Sequence, residues 1–77
     1  MNPYQELANA IILQAVKDYR VTLRRCAAHP RDRAYNNERA GLERFFRSGW
    51  FGFLTNLDGE VLMHQIQDEI FRKAVVA

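Results

Sequence analysis

Apolar residues recur along this chain at steps of three and four, in three stretches parted by breaker residues. In the first, Ile12, Val16, Tyr19, Leu23 and Cys26 follow one another, with Tyr4, Ala8, Ile11 and Ala15 alongside. That spacing gathers apolar side chains on one broad face of a 3.6-residue helix. Asn2 offers a side-chain oxygen as N-cap, and Pro3 at the first helical position gives up an N–H that would be unpaired anyway. Pro30 pushes His29 out of the helical region and stops the pattern. The pattern predicts a helix from Pro3 to about Ala28, roughly 37 Å long at about 1.5 Å per residue.

The second stretch runs from Asp32, a strong N-cap, to about Arg47, and Tyr35, Leu42, Phe45 and Phe46 mark its buried side. Gly41 inside it costs about 1 kcal/mol relative to Ala, and either a close helix approach or no special role would accommodate it. The run SGWFGFLTNLDGE follows. Ser48 is placed to cap a short helical turn holding Trp50, Phe51 and Phe53, and the Thr-Asn-Leu-Asp-Gly run then breaks the pattern. Asp58 caps a third helix whose stripe is Leu62, Met63, Ile66, Ile70 and Ala74. Glu60 in its first turn, and Arg72 and Lys73 near its end, suit the helix dipole. The expected fold is all-α: one domain over residues 1–77, a long first helix, a second, an aromatic elbow and a third.

With 77 residues the chain builds only one small core, and such a core is marginal without help. One cysteine permits no internal disulfide, and Cys26 with His29 and His64 matches no zinc spacing. Self-association is the remaining aid, so a homo-oligomer is expected. No stretch approaches the 18 or so apolar residues of a membrane helix. The start lacks a basic region and a small-residue cleavage site. A lone thiol fits a reducing compartment, and a cytoplasmic protein is expected.

The net charge of +2 is unevenly spread: residues 17–47 hold nine basic groups against four acidic ones. Lys17, Arg20 and Arg24 share one side of the first helix, and none has an acid three or four residues away. Arg20 and Arg24 are a like-charge i, i+4 pair, which costs a few tenths of a kcal/mol. The stripe is therefore a candidate anion-binding surface, unless carboxylates of another helix or subunit neutralise it. Arg44, Arg47 and Trp50 are a second candidate, since an arginine fork beside an indole suits a phosphate and a base. Arg47 also stands four residues from Glu43 and could pair with it. Five aromatics in nine residues, from Phe45 to Phe53, equally suit a small core.

Asn56, Asp58 and Glu60 lack the length and terminal Glu of a calcium loop, and capping accounts for Asp58. Gly49, Gly52 and Gly59 match no phosphate-binding fingerprint. Cys26 and His29 have no evident orienting acid. No catalytic residue, metal or cofactor is expected.

The segments ANAIILQAVKDYRVTLRR and ERFFRSGWFGFLTNLDGEVLM, within roughly residues 8–63, resemble a group of small phage and prophage helical proteins. The chain departs from their pattern at Gly49, where a charged residue is more usual. The resemblance carries no catalytic residues. It implies a phage setting in a bacterial host cell and, by analogy, an inhibitor of host immunity that grips a defence protein or sequesters an anionic signalling nucleotide. A nucleic-acid-binding phage regulator and a structural or assembly protein are the alternative expectations.

Overall fold

A computed structural model describes the backbone of residues 2–75 and the side chains of residues 2–72. Four helices form: α1 (Pro3–Ala28), α2 (Arg33–Arg47), α3 (Gly49–Leu54) and α4 (Gly59–Val75). The elbow is thus itself a short helix. Each start is fixed by a local side chain. The Asn2 carboxamide oxygen accepts from the Tyr4 N–H, and Asp32 accepts from Ala34 and Tyr35. Ser48 Oγ accepts from the Phe51 N–H while donating to the Phe45 carbonyl, so one hydroxyl both ends α2 and starts α3. Asp58 accepts from the N–H groups of Glu60 and Val61. These contacts satisfy donors that a helix start otherwise leaves without a partner.

Helix α1 is the spine. Its 26 residues extend about 39 Å, close to the 41 Å long axis of the molecule. Helices α2 and α4 pack against it and against each other around Ile12, Ala15, Tyr19, Leu23, Phe46, Met63, Ile66 and Ile70, with Phe51 of α3 closing one end. Most of the periodic residues named from sequence fill or line this core; the exceptions are the N-terminal turns of α1, where Tyr4 is exposed and Ala8 and Ile11 are half-buried, and Tyr35, which is half-buried against His29 and Arg25 at the hairpin end instead of in the core. The side chains of Lys73 and Ala74, two further sequence expectations, lie outside the described side chains.

The elbow aromatics divide. Phe46 stacks against Tyr19 at 5.3 Å between ring centroids and against Phe51 at 5.7 Å, and Phe45 lies edge-on to Phe51. Trp50 and Phe53 are exposed. A six-residue helix has one side to offer the core, and Phe51 with Leu54 occupies it.

Gly59 secures the join between α4 and α2. A Cβ there would fall 1.9 Å from the Phe46 carbonyl oxygen, and no glycine in the described chain has positive φ. The sequence reading assigned Gly59 to a turn; close approach of two backbones is what requires it. Gly41, in contrast, would place a Cβ 3.8 Å from the Arg44 guanidinium and nearer to nothing else, so it mediates no close packing.

Candidate binding surface

The exposed cations are placed by α1 and by the turn that follows it. Residues Lys17, Arg20 and Arg24 fall on the side of α1 turned away from Ile12, Tyr19 and Leu23. Arg20 lies nearest α4, and its Nε makes a 2.9 Å ion pair with Glu69. The neutralising carboxylate is therefore real for this member of the stripe. Among the described residues the ion pairs are Arg20–Glu69, Arg39–Glu43 and Arg47–Glu60, with His64 Nε2 3.6 Å from Glu60, so Lys17, Arg24 and Arg44 enter none of these contacts.

The expected Arg47–Glu43 pair does not form. Arg47 pairs with Glu60 in the first turn of α4, and the hydrogen bond it donates to that carboxylate, then the carboxylate's charge, raises the Arg47 pKa. Glu43 is turned inward instead. It accepts from the buried Tyr19 hydroxyl at 2.6 Å and from Arg39 Nε at 3.0 Å. Gln67 of α4 donates to the same hydroxyl at 2.7 Å. Burial, the largest influence on Glu43, opposes its charge; the bonds from Tyr19 and Arg39 outweigh it and hold the carboxyl below its ordinary value. Burial, reinforced by the bond to Glu43, pushes Tyr19 up to about 12. This knot ties α1, α2 and α4 together. Its sequence signals were the Arg39/Glu43 spacing and a phenol on an apolar stripe, which must find a partner when buried.

The six candidate residues do not converge. Lys17 and Arg24 share the outer ridge of α1. Arg44 lies on the outer side of α2, folded back over Gly41. Trp50 projects from α3, and the cation–aromatic contacts among the described residues are Arg25 on Tyr35 and Arg39 on Phe71. The concavities also differ from a phosphate clamp. A groove of about 480 Å³ between α1 and α2 is lined by Asp18 and Glu38 against Arg25. A second, of about 420 Å³, is lined by uncharged residues including Tyr4, Phe53 and Leu57.

Two further cations are exposed at the hairpin end: Arg31 in the turn that follows α1 and Arg33 at the start of α2. Arg33 opens α2, whose first turn holds no acidic residue. A cation at a helix N-terminus opposes the dipole, so helix stability does not account for it. That mismatch was visible in sequence. Asp32, the acid in this turn, has its Oδ1 engaged as the α2 cap.

Cys26 is buried in the core, whereas the His29 ring lies 5.8 Å from that of Tyr35. Among the described residues no three His, Cys, Asp or Glu side chains group as metal ligands, and no helix is long and apolar enough to cross a membrane.

Fold and surface together define a small all-α domain with one aromatic core, a basic hairpin end and, at the other end, an aromatic groove lined by uncharged residues. No protein-family model matches the chain, nor does any curated protein or solved structure.

Proposed function

We propose that this chain is a phage-encoded, non-catalytic binding protein that inhibits a bacterial immune system by docking its basic ridge on an acidic surface of a defence protein. The phage setting is what the sequence resemblance implies. The observation that carries the binding reading is that Lys17 and Arg24 stand exposed on one ridge with no carboxylate paired to them among the described residues, while Arg20 between them is neutralised by Glu69. Arg31 and Arg33 add exposed cations at the hairpin end. Cations left in water and spread along a convex edge meet an acidic protein face well, and they steer encounter as well as fix register.

A macromolecular target is favoured over a signalling nucleotide. A nucleotide needs forks and a stacking ring aimed at one point, and Arg44, Trp50 and the α1 ridge face separate directions. A nucleic-acid-binding regulator is the second reading, favoured by the hairpin end, where four exposed arginines cluster beside one capping aspartate.

The test is phage plating on hosts that each carry one defence system, with and without this chain. The proposal expects plating restored on at least one host, and expects the joint substitutions Lys17→Glu and Arg24→Glu to abolish the rescue while the protein still folds. Rescue that survives both substitutions would refute the ridge as the binding surface. A low-salt gel shift with a thermal-shift panel of cyclic nucleotides separates the other readings, since each would give a signal there.

A further inference from the structure

We infer that the aromatic groove at the N-terminal end of α1 is a self-association surface, and that its occupant is a second copy of this chain. The inference does not rest on the function proposed above. The first two turns of α1 share a groove with the end of α3 and the loop after it. Five large apolar side chains stand out there: Tyr4 at 83% exposure, Phe53 at 86%, Leu7 at 61%, Trp50 at 60% and Leu57 at 58%. Tyr4, Phe53 and Leu57 line one groove, with Leu7 a turn along α1 from Tyr4 and Trp50 a turn before Phe53 on α3.

Three features point to a second copy. The first is area. Aromatics bury about 150–250 Å² each, so these five residues offer roughly 600 Å² per copy, and about 1,200 Å² between two copies, the lower bound of a stable interface. The second is charge. Every residue lining the groove is uncharged, including Gln5, Asn9, Thr55 and Asn56 at its rim, in a chain where 26% of residues carry charge. Close to a two-fold axis a group faces its own copy, so a lining without charge meets no like-charge repulsion there. The third is the placing of the cations. Those of α1 run from Lys17 in its middle to Arg24 and Arg25 near its far end, so joining the aromatic ends leaves them open to a target. A small core with one cysteine and no internal crosslink also gains most from such burial.

Sedimentation velocity on the intact chain tests this. The expected species at about 50 µM is twice the 9.0 kDa chain mass. Phe53→Glu and Leu57→Lys alter exposed side chains, so each is expected to keep its helical circular dichroism and weaken self-association by about 100-fold or more. Asn56→Cys should form a disulfide-linked pair on mild oxidation, reporting the two-fold contact independently. A chain that stays monomeric at about 200 µM overturns the inference. So does a dimer indifferent to both charged substitutions. Monomeric protein that loses its target on Phe53→Glu would assign the surface to that target and overturn it equally.

Discussion

The hydroxyl of Tyr19 on α1 donates a 2.6 Å hydrogen bond to the carboxylate of Glu43 on α2, at the centre of a core otherwise built from apolar groups. Tyr19 is wholly buried, and its ring packs on Phe46 while its oxygen also accepts from Gln67. One residue thus fixes the relative seating of three helices. Removing the hydroxyl alone, by Tyr19→Phe, keeps the ring and leaves Glu43 and Gln67 short of a partner. The expected cost is about 1–3 kcal/mol. In a domain of this size that lowers Tm by roughly 5–20 °C, measured by thermal circular dichroism.

The same knot sets a pH window. Glu43 is held below its ordinary 4.5 in the fold, because the bonds from Tyr19 and Arg39 outweigh burial. A depressed carboxyl contributes stability above its unfolded value and loses it as pH falls through the folded one. Tyr19 moves the other way, from 10.0 to about 12, through burial and the bond to Glu43. Its contribution is complete below pH 10.0 and fades as pH rises toward 12. Stability should therefore be flat between these limits. The alkaline decline should shrink in Tyr19→Phe, as read from urea midpoints across pH.

Two glycines in this chain should respond to alanine with opposite signs. At Gly59 a Cβ would strike the Phe46 carbonyl, which is backbone and cannot swing aside. Gly59→Ala should destabilise by about 3 kcal/mol or more, by separating α4 from α2. At Gly41 the space is open and the backbone helical. Gly41→Ala should stabilise by about 0.5–1 kcal/mol. Chemical denaturation of the two variants checks both signs.

The ridge residues should separate stability from binding. Arg20→Ala breaks a half-exposed pair with Glu69 and should cost about 0.2–1 kcal/mol. Lys17→Ala and Arg24→Ala should leave the melting temperature within about 2 °C of wild type, since among the described residues neither joins an ion pair or the core. Parallel melting curves of the three variants test the contrast.

Features fixed by near neighbours in sequence could be read without coordinates. Asn2, Asp32, Ser48 and Asp58 cap because a short oxygen two or three residues ahead of an N–H bonds it whatever the tertiary fold. The stripe through Ile12, Tyr19 and Leu23 followed from helical period alone. Contacts between distant segments could not be read this way. Arg20 and Glu69 lie 49 residues apart and Arg47 and Glu60 13 apart, so their meeting depends on how α4 crosses the hairpin. Gly59 resembled a turn glycine because its reason, the carbonyl of Phe46, is also distant in sequence. Arg33 was a missed local signal: an uncompensated cation at a helix start.

The most direct test of the proposed ridge is the affinity between this chain and the defence protein that the plating experiment would identify, measured by titration calorimetry at two salt concentrations. The proposal rests that contact on opposite charges in water, so raising salt from about 50 to 300 mM should weaken wild-type binding by about tenfold or more. Lys17→Glu with Arg24→Glu should remove binding at either salt. Affinity that ignores both the salt and the two reversals would contradict the account.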